Sequence, residues 1–169
     1  MEFLQLVDKE GYPTGQADRE ACHGNPQLMH LVVHLHVFDR EGRLLLQKRA
    51  STKDTYPGLW DTSVGGHVRA GELVPDALRR EAREELGIEI DPWEAQFLYS
   101  VINSDSFETE SARCFASTIA GTLTPDSTEV EEVRFFSMEE IEALKERGSL
   151  TPSFQHELPL LRRYLEAPR

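Results

Sequence analysis

The chain is poor in sulfur and in positive charge, and it has no long apolar run. Cysteine occurs twice, at Cys22 and Cys114. Two thiols cannot build a disulfide framework, so a reducing compartment, the cytoplasm, is the expectation. No apolar stretch approaches the ~18 residues of a membrane span. The opening Met1-Glu2-Phe3-Leu4-Gln5-Leu6-Val7-Asp8 lacks the basic start and apolar core of a signal peptide, and no membrane partner is expected. Lysine and arginine number 18 against 30 acidic residues, a net charge of −12. Half of that imbalance falls in 126–146, where Asp126, Glu129, Glu131, Glu132, Glu139, Glu140, Glu142 and Glu146 face only Arg134 and Lys145. Such a chain repels a phosphate backbone, so nucleic acid is not an expected partner. A small anionic substrate fits if a metal ion bridges it to the acids.

What is present is ordinary globular material. With 39% apolar and 28% charged residues, the 169 positions can bury a core without staples, and one domain over 1–169 is expected. Residues 1–27 open as a hairpin, with strand-like 4–7, a turn at 8–11 and an irregular return. The strongest strand, 30–38, has a period of two. Leu31, Val33, Leu35 and Val37 share one face; His30, Val32, His34, His36 and Phe38 share the other. A partly exposed strand accounts for His34 and His36. A second strand, 44–49, ends in basic residues. Residues 50–60 read as a loop, and 61–64 lead into Gly65-Gly66.

From 75 to 86 the pattern turns helical, with Val74, Ala77, Leu78, Ala82 and Leu86 on one face. Pro75 suits the first turn and Gly87 the position after the last, with no conventional N-cap. Strands are expected at 95–103, 110–120 and 132–136. Ser137-Met138-Glu139-Glu140 reads as a capped helix start. A last helix, 153–166, is expected to break or restart at Pro159. Interleaved strands and helices imply an α/β layered fold around a mixed sheet.

One segment carries chemistry: Gly66-x5-Glu72-x7-Arg80-Glu81-Ala82-x-Glu84-Glu85-x-Gly87-Ile88. Glu81, Glu84 and Glu85 lie at i, i+3 and i+4, on one side of the helix. Hard oxygen ligands so arranged suit Mg²⁺ or Mn²⁺. Glu72 and Arg80 are natural partners for a bidentate ion pair that would pin the loop to the helix. The glycines allow tight turning and close approach of backbone carbonyls to a metal. On spacing alone, an ordinary charged helix with its acids paired to Arg79, Arg80 and Arg83 is an equal reading.

The whole pattern resembles the signature of the Nudix hydrolase superfamily, and every specified position matches. The resemblance covers most of 28–146, leaving 1–27 as a hairpin extension and 147–169 as a C-terminal helical segment. It implies an α/β/α sandwich around a mixed sheet and hydrolysis of a nucleoside diphosphate linked to another moiety. It also implies a divalent metal, Mg²⁺ with Mn²⁺ as the substitute, held by Glu81, Glu84, Glu85 and the Gly65 carbonyl. Gly66, Glu72, Arg80 and Gly87 would support the loop and helix, and Glu110, outside the signature, would assist catalysis. Lys48, Arg49, Lys53 and Arg69 are candidate phosphate contacts. Trp60 either stacks on a base or packs under the turn at 57–58.

Within that superfamily the chain is similar to the isopentenyl-diphosphate isomerases. His23, His30 and His67, with Glu108 and Glu110, match the spacing of their three-histidine, two-glutamate metal site, which makes a second metal site a candidate. The departures point elsewhere. Gly65 stands where those enzymes carry a catalytic cysteine, Cys114 reads as a packed thiol, and their late tryptophan has no counterpart. A diphosphate hydrolase is therefore the expectation, with an isoprenoid-diphosphate enzyme second and a non-catalytic nucleotide-binding regulator third.

Overall fold

The computed structural model describes residues 1–119 and 121–167. Strands β1 (Phe3–Val7) and β2 (Pro13–Asp18) form the N-terminal hairpin, followed by a single turn, α1 (Arg19–Cys22). Then come β3 (His30–Phe38), β4 (Leu44–Arg49), the short β5 (Trp60–Asp61) and β6 (Val64–His67), and the helix α2 (Val74–Leu86). Strands β7 (Gln96–Ser104), β8 (Thr109–Thr118) and β9 (Val130–Phe136) lead to α3 (Met138–Glu146) and α4 (Pro152–Glu166). One curled, mixed sheet results. In it β8 runs parallel to β3 from His30 opposite Glu110 to Phe38 opposite Thr118, while β6 pairs antiparallel on β3's other edge. β4 leaves β3 at Phe38–Leu44 and pairs antiparallel with β9 and β5, so the sheet folds into two wings joined at that hairpin.

The period-two pattern of β3 decides the layers. Leu31, Val33, Leu35 and Val37 pack with Ala77, Leu78, Ala82 and Leu86 of α2. Phe38, Leu44, Leu46 and Phe136 pack with Ile141 of α3 and with Phe154, Leu158 and Leu161 of α4. Helices thus cover both faces, the expected α/β/α sandwich. Leu78 and Leu86 lose all contact with water, and burying each contributes about 1.5–3 kcal/mol. The ends of α2 behave as its sequence dictates. Leu73 offers no side-chain cap, Pro75 sits in the first turn, and Gly87 takes the left-handed conformation at φ 65° that ends the helix. At α3, Ser137 Oγ accepts from the Glu140 amide while Glu140 accepts from the Ser137 amide, the reciprocal cap that the sequence predicts.

Three expectations need correction. His34 and His36 are buried, because α4 closes over that face of β3 and supplies the Glu157 carboxylate to it. Helix α4 runs through Pro159 without a break. Residues 64–67 are not a lead-in but a strand whose register places Gly65 beside His34 and His67 beside Val32. Strand β8 ends at Thr118, and Ala120 lies outside the described residues. Among the described residues no helix is long and apolar enough to cross a membrane.

Because α2 is seated by its apolar face, Leu78→Ala should lower the unfolding free energy by about 2–5 kcal/mol, read from the shift of the urea midpoint at constant slope.

Candidate functional site

A cavity of about 640 Å³ opens between the 50–59 loop, β6, the β7–β8 turn and the start of α4. Its geometry begins with Arg80. The guanidinium donates to both oxygens of Glu72, from Nε and Nη2 at 2.9 Å each, and Nη2 also donates to the His67 carbonyl at 2.8 Å. Nη1 donates to Glu81 and, at 3.1 Å, to Glu84. One planar cation therefore ties the 68–73 loop, the end of β6 and the middle of α2 together. It also explains Gly66: a Cβ there would lie inside the Glu81 carboxylate.

The three helix acids are presented unequally. Glu85 faces the cavity, where its Oε2 accepts from the Gly65 amide at 3.1 Å and from Gln47 Nε2 at 2.9 Å. Burial, with Glu81 nearby, pushes its carboxyl up to about 8 despite those donors. Glu81 is buried behind Gly66, and burial raises it too, against the pull of Arg80. Glu84 is exposed and also meets Arg69 Nη2 at 3.8 Å.

Opposite them the matched histidines come together. The rings of His23, His30 and His67 stand 5.1–5.9 Å apart. Glu108 Oε2 lies 3.4 Å from His23 Nε2 and 3.7 Å from His30 Nε2, and Glu110 Oε1 lies 4.0 Å from His30 Nε2. The Leu28 carbonyl accepts from His30 Nδ1 at 3.2 Å, so the neutral ring turns its Nε2 lone pair inward. His30 Nε2 and Glu108 Oε2 are buried with no hydrogen-bond partner. Burial lowers all three imidazoles: His23 falls to about 4 and His67 lies well below its ordinary value, each pushed further by its charged neighbours. Burial pushes Glu110 up to about 8, with Glu108 adding repulsion. One ligand atom from each of His23, His30, His67 and Glu108 falls within 4.8 Å of the others.

A further polar group lines the far wall. His34 Nδ1 lies 2.7 Å from Glu157 Oε1, which also accepts from Asn103 Nδ2 at 2.9 Å. Cys114 Sγ sits 3.5 Å from Glu157 Oε2, and Asn103 Oδ1 lies 2.8 Å from His156 Nδ1. Burial alone would lower His34 and raise Glu157. Their mutual attraction overrides it, holding His34 well above its usual value and Glu157 down at about 2. Sequence reasoning misses Asn103, His156 and Glu157, because they sit in apolar-patterned β7 and α4 and acquire meaning only when α4 docks on β3.

The candidate contacts divide. Arg49 lines the cavity, held by Thr55 and Asp61, and so does Lys53, paired with Glu129. Lys48 instead pairs with Glu131 on the outer surface of β4 at 2.8 Å. Arg69 bonds Glu2 at 3.2 Å, away from the cavity lining. Trp60 is buried edge-on against Phe136, centroids 4.8 Å apart, within the core and outside the cavity lining. Neither buried thiol, Cys22 or Cys114, lines the cavity.

The NUDIX domain model matches residues 28–155. An isopentenyl-diphosphate Δ-isomerase of Brevibacterium linens is 36% identical over 148 residues, covering 85% of this chain and 81% of that protein. A protein of Listeria monocytogenes named as an uncharacterized Nudix hydrolase, lmo0368, is 33% identical over 159 residues, covering 91% and 90%. Among solved structures, DR0079 from Deinococcus radiodurans superposes with a TM-score of 0.79 at 26% identity, covering 96% of this chain and 99% of that one.

The buried pair fixes a pH response. Glu157 titrates at about 2 when folded against an ordinary 4.5, so its stabilisation is complete above pH 4.5 and lost as pH falls toward 2. Urea unfolding across that window should show a shallower loss of stability in Glu157→Gln than in the parent chain.

Proposed function

Because this chain belongs to the Nudix family, we propose that it is a divalent-metal-dependent hydrolase cleaving a diphosphate bond in a nucleoside diphosphate, free or linked to another moiety. The observation that carries the reading is Glu85. It is a cavity-facing carboxylate with a second acid, Glu81, behind it, and its raised value marks an acid that lacks a counter-charge. Glu85 and the Gly65 carbonyl suit a hard cation, and Glu81 and Glu84, now bonded by Arg80 outside the cavity lining, would complete the ligand set by sharing that guanidinium. Bound there, a divalent cation neutralises phosphate oxygens and lowers the pKa of water.

The chain's own residues have separate tasks. Arg80 and Glu72 hold the loop so that Gly65 and Glu85 stay in register. Arg49 and Lys53 face the cavity from strand and loop and would take the anionic phosphates. Glu110, across the cavity, would accept the proton of the attacking water.

The unpartnered His30 Nε2 and Glu108 Oε2 support a second cation place made by His23, His30, His67 and Glu108, with Glu110 beside it. Neutral imidazoles suit ions softer than Mg²⁺, such as Mn²⁺ or Zn²⁺. This place favours the isomerase reading that the relatives' names carry. Against that reading, no thiol lines the cavity, so proton shuttling to an allylic carbon has no cysteine to run on.

Hydrolysis of nucleoside diphosphates, nucleotide sugars, dinucleoside polyphosphates and isopentenyl diphosphate, assayed with Mg²⁺, tests the proposal. Glu85→Gln should lower kcat at least ~100-fold, the order expected for a lost ligand or base; full turnover by that variant, or isomerisation of isopentenyl diphosphate by the parent chain, would reject it. Native mass spectrometry of His30→Ala checks the second place: the expected result is loss of one bound ion, and unchanged metal content removes it.

A further inference from the structure

The cavity has two chemically different ends. One holds Glu85, the histidine cluster, Arg49 and Lys53, all suited to phosphate and cations. The other is built by His34 from β3, Asn103 and Ser104 from β7, and Ser153 and His156 from α4. That end must take whatever the diphosphate is attached to, and its side chains are mostly polar, with Ile102 and Pro152 beside them.

A single buried carboxylate orders them. Glu157 has no exposure and, being ionised, can only accept. The Asn103 amide therefore turns its Nδ2 to Glu157, which leaves Oδ1 to accept from His156 Nδ1. With Nδ1 so committed, the His156 ring has Nε2 left for a further hydrogen bond. His34 commits Nδ1 to the same carboxylate. Its Nε2 then lies on the Gly65 side, where a Cβ would stand only 3.5 Å from it. Three elements distant in sequence thus present two imidazoles and an amide with fixed orientations.

Holding α4 in place does not require this arrangement. Well-packed apolar residues seat a helix as firmly as a buried ion pair, and often more so. A hydrocarbon chain laid against this wall would strip water from the polar groups without replacing its hydrogen bonds, a loss of about tenfold or more in affinity per group. A hydroxyl- or amide-bearing group would satisfy them.

We propose that His34, Asn103 and His156 form a recognition wall for the organic half of the substrate, that this half is hydroxyl- or amide-bearing, as the ribose or base of a nucleoside is, and that Glu157 is the positioning residue orienting all three. The proposal rests on the diphosphate-site reading above and names what that site discriminates.

Calorimetric binding in the presence of Mg²⁺ tests it with three non-hydrolysable probes: the α,β-methylene diphosphates of adenosine and of uridine, and methylenediphosphonate, which has no organic half. The parent chain should bind at least one nucleotide ~10-fold or more tighter than methylenediphosphonate. Equal gains assign the wall to the ribose hydroxyls, and unequal gains assign it to the base. His156→Ala, whose ring is at the exposed rim, and Asn103→Ala should each cut that gain at least ~5-fold. Their methylenediphosphonate affinity should be unchanged. Glu157→Gln should cut the gain in the same selective way, which a purely structural role would not do. No nucleotide gain, or a gain unmoved in His156→Ala, overturns the proposal. If neither probe class binds, the diphosphate site and the wall fall together. If nucleotides bind, methylenediphosphonate does not, and the variants weaken the nucleotide, the wall stands and the diphosphate-site reading fails.

Discussion

A carboxylate taken out of water needs a partner, and this acidic chain buries or half-buries several around one cavity. Each meets the requirement differently, and the differences organise the molecule. Glu157 is matched by an imidazolium where α4 crosses β3. Glu81 is matched by Arg80, which also clamps Glu72 and the His67 carbonyl. Glu85 has only neutral donors, the Gly65 amide and Gln47. Glu108 and Glu110 face imidazoles that burial keeps uncharged. At Glu157 the built-in partner outweighs burial and holds the carboxylate ionised, whereas at Glu81 burial still outweighs the pull of Arg80. Where no charge partner is built in, burial drives the carboxyl up, and the arrangement is stable as an ionised set only when something positive enters. The acids that line the cavity, Glu85, Glu108 and Glu110, are the uncompensated ones, whereas Glu81 and Glu84 would have to share the Arg80 guanidinium with any cation they hold.

Strand β3 is where these demands meet. Its inward residues seat α2, its outward residues carry three histidines, and its two edges hold β6 and β8 in fixed register. Register places Gly65 opposite His34 and Glu110 opposite His30. The loop glycine, the histidine cluster and the acids of β8 therefore reach one cavity although they lie up to 87 positions apart, from His23 to Glu110.

Much of this is legible from residues alone, for a physical reason. Features written within one turn or one strand survive tertiary context. The α2 face, the Gly87 stop, the Ser137–Glu140 cap and the Glu72–Arg80 pair are of this kind, and all stand in the structure. The histidine cluster is legible only through resemblance, since nothing local joins His23 to Glu108. Distance in sequence is a poor guide to distance in space. Lys48 neighbours Arg49 along the chain but pairs with Glu131 outside the cavity lining, and Arg69 bonds Glu2 while lying 3.8 Å from Glu84. His34 and His36 read as half-exposed because their cover, α4, arrives more than 100 residues later. The short β6 escapes because Gly65-Gly66 has weak strand preference, and pairing with β3 alone decides it.

The acidity of the chain and the attraction for a diphosphate proposed above are compatible within one arrangement. A net charge of −12 repels an anion at long range, and Arg49 and Lys53 are partly neutralised by Asp61 and Glu129. Attraction must therefore be local. Cations gathered by the uncompensated acids would reverse the sign of the field inside the cavity while the outside stays negative. Affinity for the phosphates is then conditional on metal, whereas contacts to the rest of the substrate are not. The proposed wall of oriented side chains beside that field would supply selectivity that metal cannot, because the metal sees only the phosphates that all such substrates share.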